Sequence, residues 1–339
     1  MHLWFCCKAM DLVVAVRKKE GMAMEKYTLK PVERCEVVVL VDNYIDLLLP
    51  PKDGVVRPPL ATGETIPEDT ILAEHGLSIL IRLSYGGKTH SVLMDAGYTD
   101  KVLSHNLNFL GISLSDVEMV VMSHGHMDHY GGLVWAVGQI GKRPVPIVIH
   151  PGAFATPRFF KLPDGRDLRF PVMDRKAVEA AGGAFQEFSE PSLHIEDHLL
   201  ITGAVERVTP FEKGMPNAYV KQGGELIHDD IIDDQGCAIN IRDEGILLIS
   251  GCAHAGIINT VKYAKKLTGV ENVLGVIGGF HLTGPVFEPI IGDTIEEMKK
   301  INPKRLVPMH CTGWTAIKAF EAAMPDAFAL NGSGTMYQF

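Results

Sequence analysis

The chain has 339 residues, 46% of them hydrophobic and 22% charged, and it carries a formal net charge of −9 at pH 7. This balance is typical of a soluble globular protein and excludes disordered, collagen-like and polybasic classes. The acidic excess also argues against nucleic acid as a partner. The most apolar stretch near the start, residues 3–16, contains Lys8 and Asp11 and is shorter than the roughly 20 apolar residues that cross a membrane, so we expect no membrane partner. Six scattered cysteines are too sparse for a disulfide framework and predict a cytoplasmic location.

Strand and helix patterns alternate along the first 150 residues. We interpret residues 1–34 as an N-terminal extension or the product of an upstream start, because Met22 and Met24 lie just before the first clear strand. The apolar periodicity then predicts, in order, a strand over Glu36–Val41, a hairpin of Leu77–Leu83 and Ser91–Met94, a helix over Asp100–Leu110, a strand over Val117–Met122, a helix over Gly131–Ile140 and a strand over Pro146–Ile149. This alternation is typical of an α/β protein.

The pattern becomes irregular between residues 151 and 236, where seven prolines punctuate aromatic and charged residues. We predict an elaborated, loop-rich insertion there, close to the functional site. Regular patterns return in the last third, with strands over Gly245–Ser250, Val273–Ile277 and Arg305–Pro308 and helices over Gly256–Leu267, Thr294–Ile301 and Thr315–Ala323. Since no internal repeat or flexible linker is present, we favour one domain over residues 35–339 rather than two halves joined near residue 200.

Three of the 14 histidines fall within six residues, in an H-x-H-x-D-H motif that follows a predicted strand. Side chains two residues apart in extended backbone point to the same side, so His124 and His126 are expected to grip one cation. Asp128 and His129 follow on a turn, where they would face a second cation. Imidazoles combined with a carboxylate suit zinc, iron or manganese better than magnesium or calcium. We therefore predict two divalent metal ions, zinc first, with manganese or iron as alternatives.

Four ligands do not complete two metal sites, and the last third of the chain offers more. His254, His281 and His310 each come shortly after one of the strands predicted there. The carboxyl ends of parallel strands form the crevice in which α/β proteins bind ligands, so these side chains should converge. We predict His254 and His310 as metal ligands, and His281 as either catalytic or structural.

These motifs resemble those of the metallo-β-lactamase superfamily. Residues 93–97, around Asp95, are similar to its first motif, and residues 124–129 match its signature. Within the superfamily, segments 74–78, 251–256, 278–282 and 310–313 resemble the 7,8-dihydropterin-6-ylmethyl-4-(β-D-ribofuranosyl)aminobenzene 5′-phosphate synthase group. The resemblance covers nearly everything from residue 35 onward. It implies an α/β fold, a four-layer αββα sandwich with the loop-rich segment inserted.

The resemblance also implies roles for individual residues. The ligands carried over are His124, His126, Asp128, His129 and, in the last motif, His310, and Asp128 would also take part in catalysis. Asp95 would orient a ligating imidazole through a hydrogen bond.

Two departures from the superfamily pattern concern the metal ligands. Most hydrolases of the superfamily have Gly-Asp after a late strand, with the aspartate bridging both metals, whereas here Gly251 is followed by Cys252. We interpret Cys252 as lying beside the ligands, either as a zinc-binding thiolate or as a small packing residue. The usual third-motif histidine is also missing. His254 is a candidate replacement, and Asp233 or Asp234 is another unless this acidic run forms a solvated turn.

The predicted substrate is a small molecule, anionic or phosphorylated. In the insertion, Arg158 would offer a guanidinium to phosphate and Phe159 an aromatic face to a pterin ring, unless they belong to an ordinary packed loop. His75, in a loop ahead of a strand, would either reach the same pocket or have a structural role. The sequence leaves the oligomeric state open.

Three functions remain open from the sequence. The resemblance implies a metal-dependent enzyme that joins a dihydropterin methyl diphosphate to an aminobenzene ribofuranosyl phosphate, with diphosphate leaving. The alternative enzyme is a metal-dependent hydrolase of a lactone, β-lactam or phosphoester, since two adjacent cations also activate water. The third is a non-catalytic sensor that keeps the fold but has an impaired metal centre.

Overall fold

The computed structural model describes residues 26–61 and 63–339. The strands are β1 (Pro31–Val32), β2 (Arg34–Val41), β3 (Val55–Val56), β4 (Ser78–Tyr85), β5 (Lys88–Met94), β6 (Val117–Val121), β7 (Val145–Ile149), β8 (Arg158–Lys161), β9 (Asp167–Arg169), β10 (Gly183–Glu187), β11 (Ser192–His194), β12 (Leu199–Ile201), β13 (Ala218–Gln222), β14 (Glu225–His228), β15 (Gly236–Ile241), β16 (Gly245–Ser250), β17 (Val273–Gly279), β18 (Arg305–Met309) and β19 (Met336–Gln338). The helices are α1 (Asp100–Leu110), α2 (Met127–Tyr130), α3 (Leu133–Gln139), α4 (Arg175–Ala180), α5 (Ile257–Thr268), α6 (Ile291–Ile301) and α7 (Trp314–Ala323).

Two large sheets form the centre of the fold. One has the strand order β10-β7-β6-β5-β4-β2-β19-β3, and the other has the order β11-β12-β15-β16-β17-β18, with β1 paired to β15. Buried side chains of both sheets pack in one cluster, for example Val37 and Ile81 with Ile239 and Leu247. The two sheets are therefore stacked face to face.

Helices cover both outer faces. Helices α1, α3 and α4 pack on the eight-stranded sheet, and α5, α6 and α7 pack on the other. Along β2, Val37 and Val39 face the other sheet while Val38 and Leu40 face the helices. Because both faces of the strand are buried, it reads as a continuous apolar run. The predicted four-layer αββα sandwich is confirmed.

Parallel pairing brings two sets of strand ends to the site. Strands β5, β6 and β7 run parallel in one sheet, and β16, β17 and β18 run parallel in the other. The H-x-H-x-D-H segment follows β6, and the three later histidines follow β16, β17 and β18. Each strand and helix predicted from periodicity is present within a few residues of its predicted bounds, and α1 has the bounds predicted.

The segment predicted as an insertion divides into two parts in the structure. Strands β10, β11 and β12 extend the two large sheets, whereas β8, β9, β13 and β14 form a separate four-stranded sheet, called the small sheet below. Of the predicted N-terminal extension, residues 1–25 lie outside the described residues, and β1 is part of the seven-stranded sheet. Within the described part of the chain, no helix is long and apolar enough to span a bilayer.

Candidate metal centre

The first donor group consists of three imidazoles. His124 lies after β6, His126 immediately precedes α2 in extended backbone, and His254 lies after β16. His124 Nε2 is 3.0 Å from His126 Nδ1 and 3.2 Å from His254 Nε2. A neutral imidazole carries only one N–H, so three converging ring nitrogens are poorly explained as mutual hydrogen bonds. A tetrahedral cation with bonds of about 2.1 Å separates its nitrogen ligands by about 3.4 Å, close to the observed spacing.

The second donor group combines Asp128, His129, Cys252 and His310, whose donor atoms all lie within 4.8 Å of one another. Helix α2 starts at Met127, which turns Asp128 and His129 away from the direction of the preceding histidines. Asp128 Oδ2 is 3.3 Å from His310 Nε2 and 3.7 Å from His129 Nε2. A carboxylate, two imidazoles and a thiol are donors that zinc accepts.

Unpaired nitrogens test whether these groups fit a cation. His310 Nε2 is buried and lies 3.3 Å from Asp128 Oδ2 without a well-directed hydrogen bond, and His254 Nδ1 and His281 Nδ1 have no hydrogen-bond partner among the described residues. Buried polar atoms are normally paired, because leaving one unpaired costs about 1–3 kcal/mol. The donors of the two groups therefore fit a metal centre, with His310 Nε2 directed at Asp128.

The protonation states agree with ligation. Burial lowers the pKa of His124 and of His254 well below the ordinary histidine value, and neighbouring imidazoles add to the effect. Burial also lowers the pKa of His126 to about 4. Burial would raise the pKa of Asp128, but His129 and His310 outweigh it and hold that pKa below its usual value. The three-imidazole group thus presents neutral rings, and Asp128 presents a carboxylate, the forms that bind metals.

Asp95, at the end of β5, lies behind the ligands as the resemblance implied. Its Oδ2 accepts hydrogen bonds from His129 Nδ1 at 2.6 Å and from Ser123 Oγ at 2.6 Å, and its Oδ1 accepts from the Ser123 N–H at 2.8 Å. Ser123 Oγ in turn lies 3.0 Å from His124 Nδ1. Burial would lower the pKa of His129, but Asp95 and Asp128 reverse this and raise it to about 9. One carboxylate therefore orients a ligand of each group and directs His129 Nε2 and His124 Nε2 to the metal centre, where a cation would displace the proton of the His129 ring.

The backbone around the site is strained and closely packed. Asp95, Ala253, His281 and His310 all have positive φ, between 46° and 59°. Such backbone costs about 1–3 kcal/mol per residue and is concentrated at functional sites. At Gly251 a Cβ would lie 2.2 Å from Ser123 Oγ, so only glycine lets the loop after β16 approach the histidine motif. The two sheets thereby bring their loops into contact.

His281 borders the metal centre and an adjoining cavity. Its ring lies 4.3 Å from that of His254, and both residues form a third possible donor group with Cys252. The cavity, about 240 Å³ and called the β17 cavity here, is lined by apolar side chains such as Phe211 and Phe287, with Lys213 exposed in its wall. His281 is thus placed to touch a ligand in this cavity.

A second cavity of about 250 Å³, called the β18 cavity, borders the other donor group. His310, Asn43 and the aromatic pair of Tyr44 and Trp314 line it. Trp314 is 55% exposed, which leaves a large apolar surface in contact with water. One cavity therefore adjoins each donor group.

His75 lies at the entrance to the centre. Its Nε2 is 3.7 Å from Asp128 Oδ2, its Nδ1 is 3.2 Å from Asn43 Nδ2, and its ring lies 5.2 Å from that of His310. The side chain is 66% exposed and is not part of a donor group. It is accordingly positioned beside the ligands, where a substrate would meet it.

Arg158 and Phe159 lie differently from the sequence prediction. The guanidinium of Arg158 is buried and paired with Asp229 at 2.7 Å and with Asp233, so it is not open to a phosphate. Phe159 follows it on the opposite face of β8, where it pairs across strands with Tyr219 and Arg169. The small sheet therefore directs Arg158 into the protein and Phe159 away from it.

Sequence reasoning missed the aromatic side chain that does reach the centre. Phe170, just after β9, stacks on His126 with ring centroids 4.8 Å apart and planes 8° apart. Its surroundings in the sequence do not distinguish it from other aromatic residues of the segment. Asp233 Oδ2 accepts the Gly125 N–H, and Asp234 Oδ2 accepts the Ala255 N–H, so both support ligand loops without joining a donor group.

The fold and the two donor groups define a metal-binding protein of the metallo-β-lactamase type, and the family model described as the metallo-beta-lactamase superfamily matches residues 72–209. The 7,8-dihydropterin-6-methyl-4-(beta-D-ribofuranosyl)-aminobenzene-5′-phosphate synthase of Methanocaldococcus jannaschii is 30% identical over 275 residues, which cover 79% of this chain and 90% of that protein. The chain therefore belongs to the metallo-β-lactamase superfamily and, within it, to the family of this synthase.

One further relative agrees with this assignment, and a solved structure shares the fold. An uncharacterized protein of the same organism is 31% identical over 249 residues, covering 72% of this chain and 86% of that protein. A solved structure described as a metal-dependent hydrolase of the β-lactamase superfamily superposes with a TM-score of 0.67 at 21% identity, covering 90% of this chain and 98% of its own. That likeness concerns the fold alone. Family and fold together support an enzyme that binds divalent metal.

Proposed function

We propose that this protein is a metal-dependent transferase that joins a dihydropterin methyl diphosphate to an aminobenzene ribofuranosyl phosphate and releases diphosphate. The observation that carries the proposal is the pair of cavities, one beside each donor group. A coupling enzyme must hold two organic substrates at once, whereas a hydrolase needs room for one besides water. The 30% identical synthase supports the same reaction.

In this reaction the arylamine nitrogen bonds to the pterin methylene carbon, the carbon–oxygen bond to diphosphate breaks, and the amine loses a proton. Two divalent cations, zinc above all, held by the two donor groups would neutralise the charge of the departing diphosphate. The aromatic residues of the cavities hold ring systems in place, with Trp314 on one side and Phe287 on the other. Phe170 covers His126 and limits the access of water to that side.

The substrate is thus a small anionic molecule. Lys213 supplies a cation in the wall of the β17 cavity, and His75 is exposed at the metal centre. A cytoplasmic setting is part of the proposal, supported by the free state of the buried cysteines Cys35 and Cys237.

The test measures diphosphate release by the purified, metal-loaded protein with each substrate alone and with both. We expect release only when both are present. Release from the pterin diphosphate without the arylamine would instead establish a hydrolase. If the protein binds less than one cation per chain tightly and shows no turnover of either kind, the result would support a non-catalytic sensor.

Two variants test whether the two cavities bind different substrates. Trp314→Ala and Phe287→Ala should each raise KM about 2- to 12-fold, for different substrates, since an aromatic contact contributes about 0.5–1.5 kcal/mol. Phe188→Ala, at an exposed ring that lines neither cavity, is the matched control. If both cavity variants change the KM of the same substrate, the two-cavity assignment is wrong.

A further inference from the structure

We propose that Asn43, which lies just after β2, is a positioning residue for two imidazoles of the metal centre. It directs the Nε2 lone pair of His310 toward Asp128, and it keeps the hydrogen of the neutral His75 ring on Nε2, which faces the same carboxylate. His75 is then a hydrogen-bond donor to an anionic group of the substrate. The orientation of His310 is independent of the reaction, whereas the acceptor of the His75 hydrogen bond rests on the proposed function.

The backbone of His310 determines the orientation of the Asn43 amide. Asn43 Nδ2 lies 3.2 Å from the His310 carbonyl oxygen, an atom that only accepts, so this end of the amide is the NH2 group. Asn43 Oδ1 then lies 3.0 Å from His310 Nδ1. Because an amide oxygen also only accepts, the hydrogen of the neutral His310 ring is on Nδ1, and Nε2 carries a lone pair.

This lone pair explains the contact between His310 and Asp128. His310 Nε2 is buried, lies 3.3 Å from Asp128 Oδ2 and makes no well-directed hydrogen bond. A nitrogen lone pair and a carboxylate oxygen repel each other at this distance unless a cation lies between them. Asn43 therefore presents to the cation the nitrogen that has no hydrogen, in the way that Asp95 does for His129.

The end of β2 also holds the backbone of His310. Asp42 Oδ1 accepts the His310 N–H at 2.9 Å, and Asp42 Oδ2 accepts from Asn331 Nδ2 at 2.7 Å. His310 has a φ of 51°, and such backbone persists only where surrounding contacts fix it. Strand β2 belongs to the eight-stranded sheet, whereas His310 follows β18 of the other large sheet. Asp42 and Asn43 thus connect the two sheets at a metal ligand.

The second hydrogen of the Asn43 NH2 group faces His75. Asn43 Nδ2 lies 3.2 Å from His75 Nδ1, and this nitrogen must accept because an amide nitrogen only donates. The hydrogen of the neutral His75 ring is therefore on Nε2. That atom lies 3.7 Å from Asp128 Oδ2, too far for a hydrogen bond, so its N–H is available to a substrate.

A donor at this place suits the departing diphosphate. Breaking the carbon–oxygen bond leaves negative charge on oxygen, and an N–H fixed beside that oxygen stabilises the charge as it develops. A ring that already carries hydrogen on Nε2 cannot accept the arylamine proton there. We expect that proton to go to water, while His75 keeps its own.

Nitrogen NMR of the histidine rings measures the tautomer directly. The zinc-loaded, full-length protein with nitrogen-15-labelled histidine is observed at about pH 8, where histidine is ordinarily neutral. The signal that disappears in His75→Gln belongs to His75, and we expect its hydrogen on Nε2. In Asn43→Asp a carboxylate faces Nδ1, so the hydrogen should move to Nδ1. Hydrogen on Nδ1 in the wild type would overturn the role of His75, and so would a tautomer that Asn43→Asp leaves unchanged.

Chelator competition tests the orientation of His310. Asn43→Ala should bind zinc about tenfold more weakly, at the low end for an orienting partner, because Asn43 is exposed and water replaces part of the contact. Asn43→Asp keeps an oxygen for His310 Nδ1 and should recover most of this affinity. Asn272→Ala is the matched control, at another exposed asparagine that donates to a backbone carbonyl. Wild-type affinity in Asn43→Ala, or an equal loss in Asn272→Ala, would overturn the role of Asn43.

The rate of diphosphate release at saturating substrates tests the donor role. His75→Ala should lower this rate about tenfold or more, since a hydrogen bond to a charged group contributes at least that factor. His75→Gln offers an NH2 group near the position of Nε2 but no basic nitrogen, and it should recover most of the loss. If His75→Gln is as slow as His75→Ala, the donor role is wrong. No release by the wild type would contradict the proposed function instead, and the tautomer and the zinc affinity would still decide the role of Asn43.

Discussion

Replacing Asp95 by asparagine tests whether this carboxylate prepares the metal ligands. Asp95 is fully buried and accepts three hydrogen bonds, two from Ser123 and one from His129. In Asp95→Asn the remaining oxygen keeps the bond from the Ser123 N–H, but an NH2 group faces His129 Nδ1. The ring then favours the tautomer with hydrogen on Nε2, and that nitrogen no longer binds a cation.

The size of the effect follows from these contacts. Losing a charge-assisted hydrogen bond to a buried imidazole should lower the free energy of unfolding of the metal-free protein by about 1.5–3 kcal/mol. Disturbing the group that orients a ligand should weaken metal binding about 10- to 100-fold. Both losses arise from the same His129 contact, so they should appear together.

Competition with a chelator measures the affinity for zinc, and urea denaturation of the metal-free protein measures stability. Asp116→Asn is the matched control, because Asp116 accepts a hydrogen bond from Ser91 and is not part of a donor group. We expect its zinc affinity to equal that of the wild type. Wild-type affinity in Asp95→Asn would refute the orienting role.

His126→Ala should abolish turnover and remove the cation of the three-imidazole group while the far-ultraviolet circular dichroism stays unchanged; turnover at wild-type rate, with the metal content verified, would contradict this. Arg158→Ala should lower the free energy of unfolding by about 3–5 kcal/mol, because Asp229 and Asp233 stay buried without their partner. Urea denaturation measures the loss, and the exposed Arg166, replaced in the same way, should cost less than about 1 kcal/mol. Equal effects of the two arginine variants would mean that the buried pair does not support the small sheet.

Local chemistry is sufficient to predict the elements of this fold. Helix α1 has the predicted bounds because Thr99 caps its start and Gly111, with a φ of 65°, ends it. The buried strands appear as apolar runs because side chains on both their faces are covered. The H-x-H-x-D-H motif is likewise local, since a strand followed by a helix start separates its donors into two directions.

Which side chains contact one another around the site depends on the tertiary structure. Arg158 and Phe159 are neighbours on β8 and point in opposite directions, and only the packing of the small sheet determines that the arginine faces inward. Phe170 reaches His126 because β9 returns along β8, a pairing that leaves no mark in the sequence around it.

The grouping of the donors around Cys252 likewise depends on the tertiary structure. The sequence alone predicts the strand ends and most of the donors, because periodicity and spacing act over a few residues, whereas the four layers were implied by the family resemblance. Which donors lie close together follows from the tertiary structure, because it depends on loops of two different sheets meeting across Gly251 and Ser123. No local sequence pattern encodes the distance between these two loops.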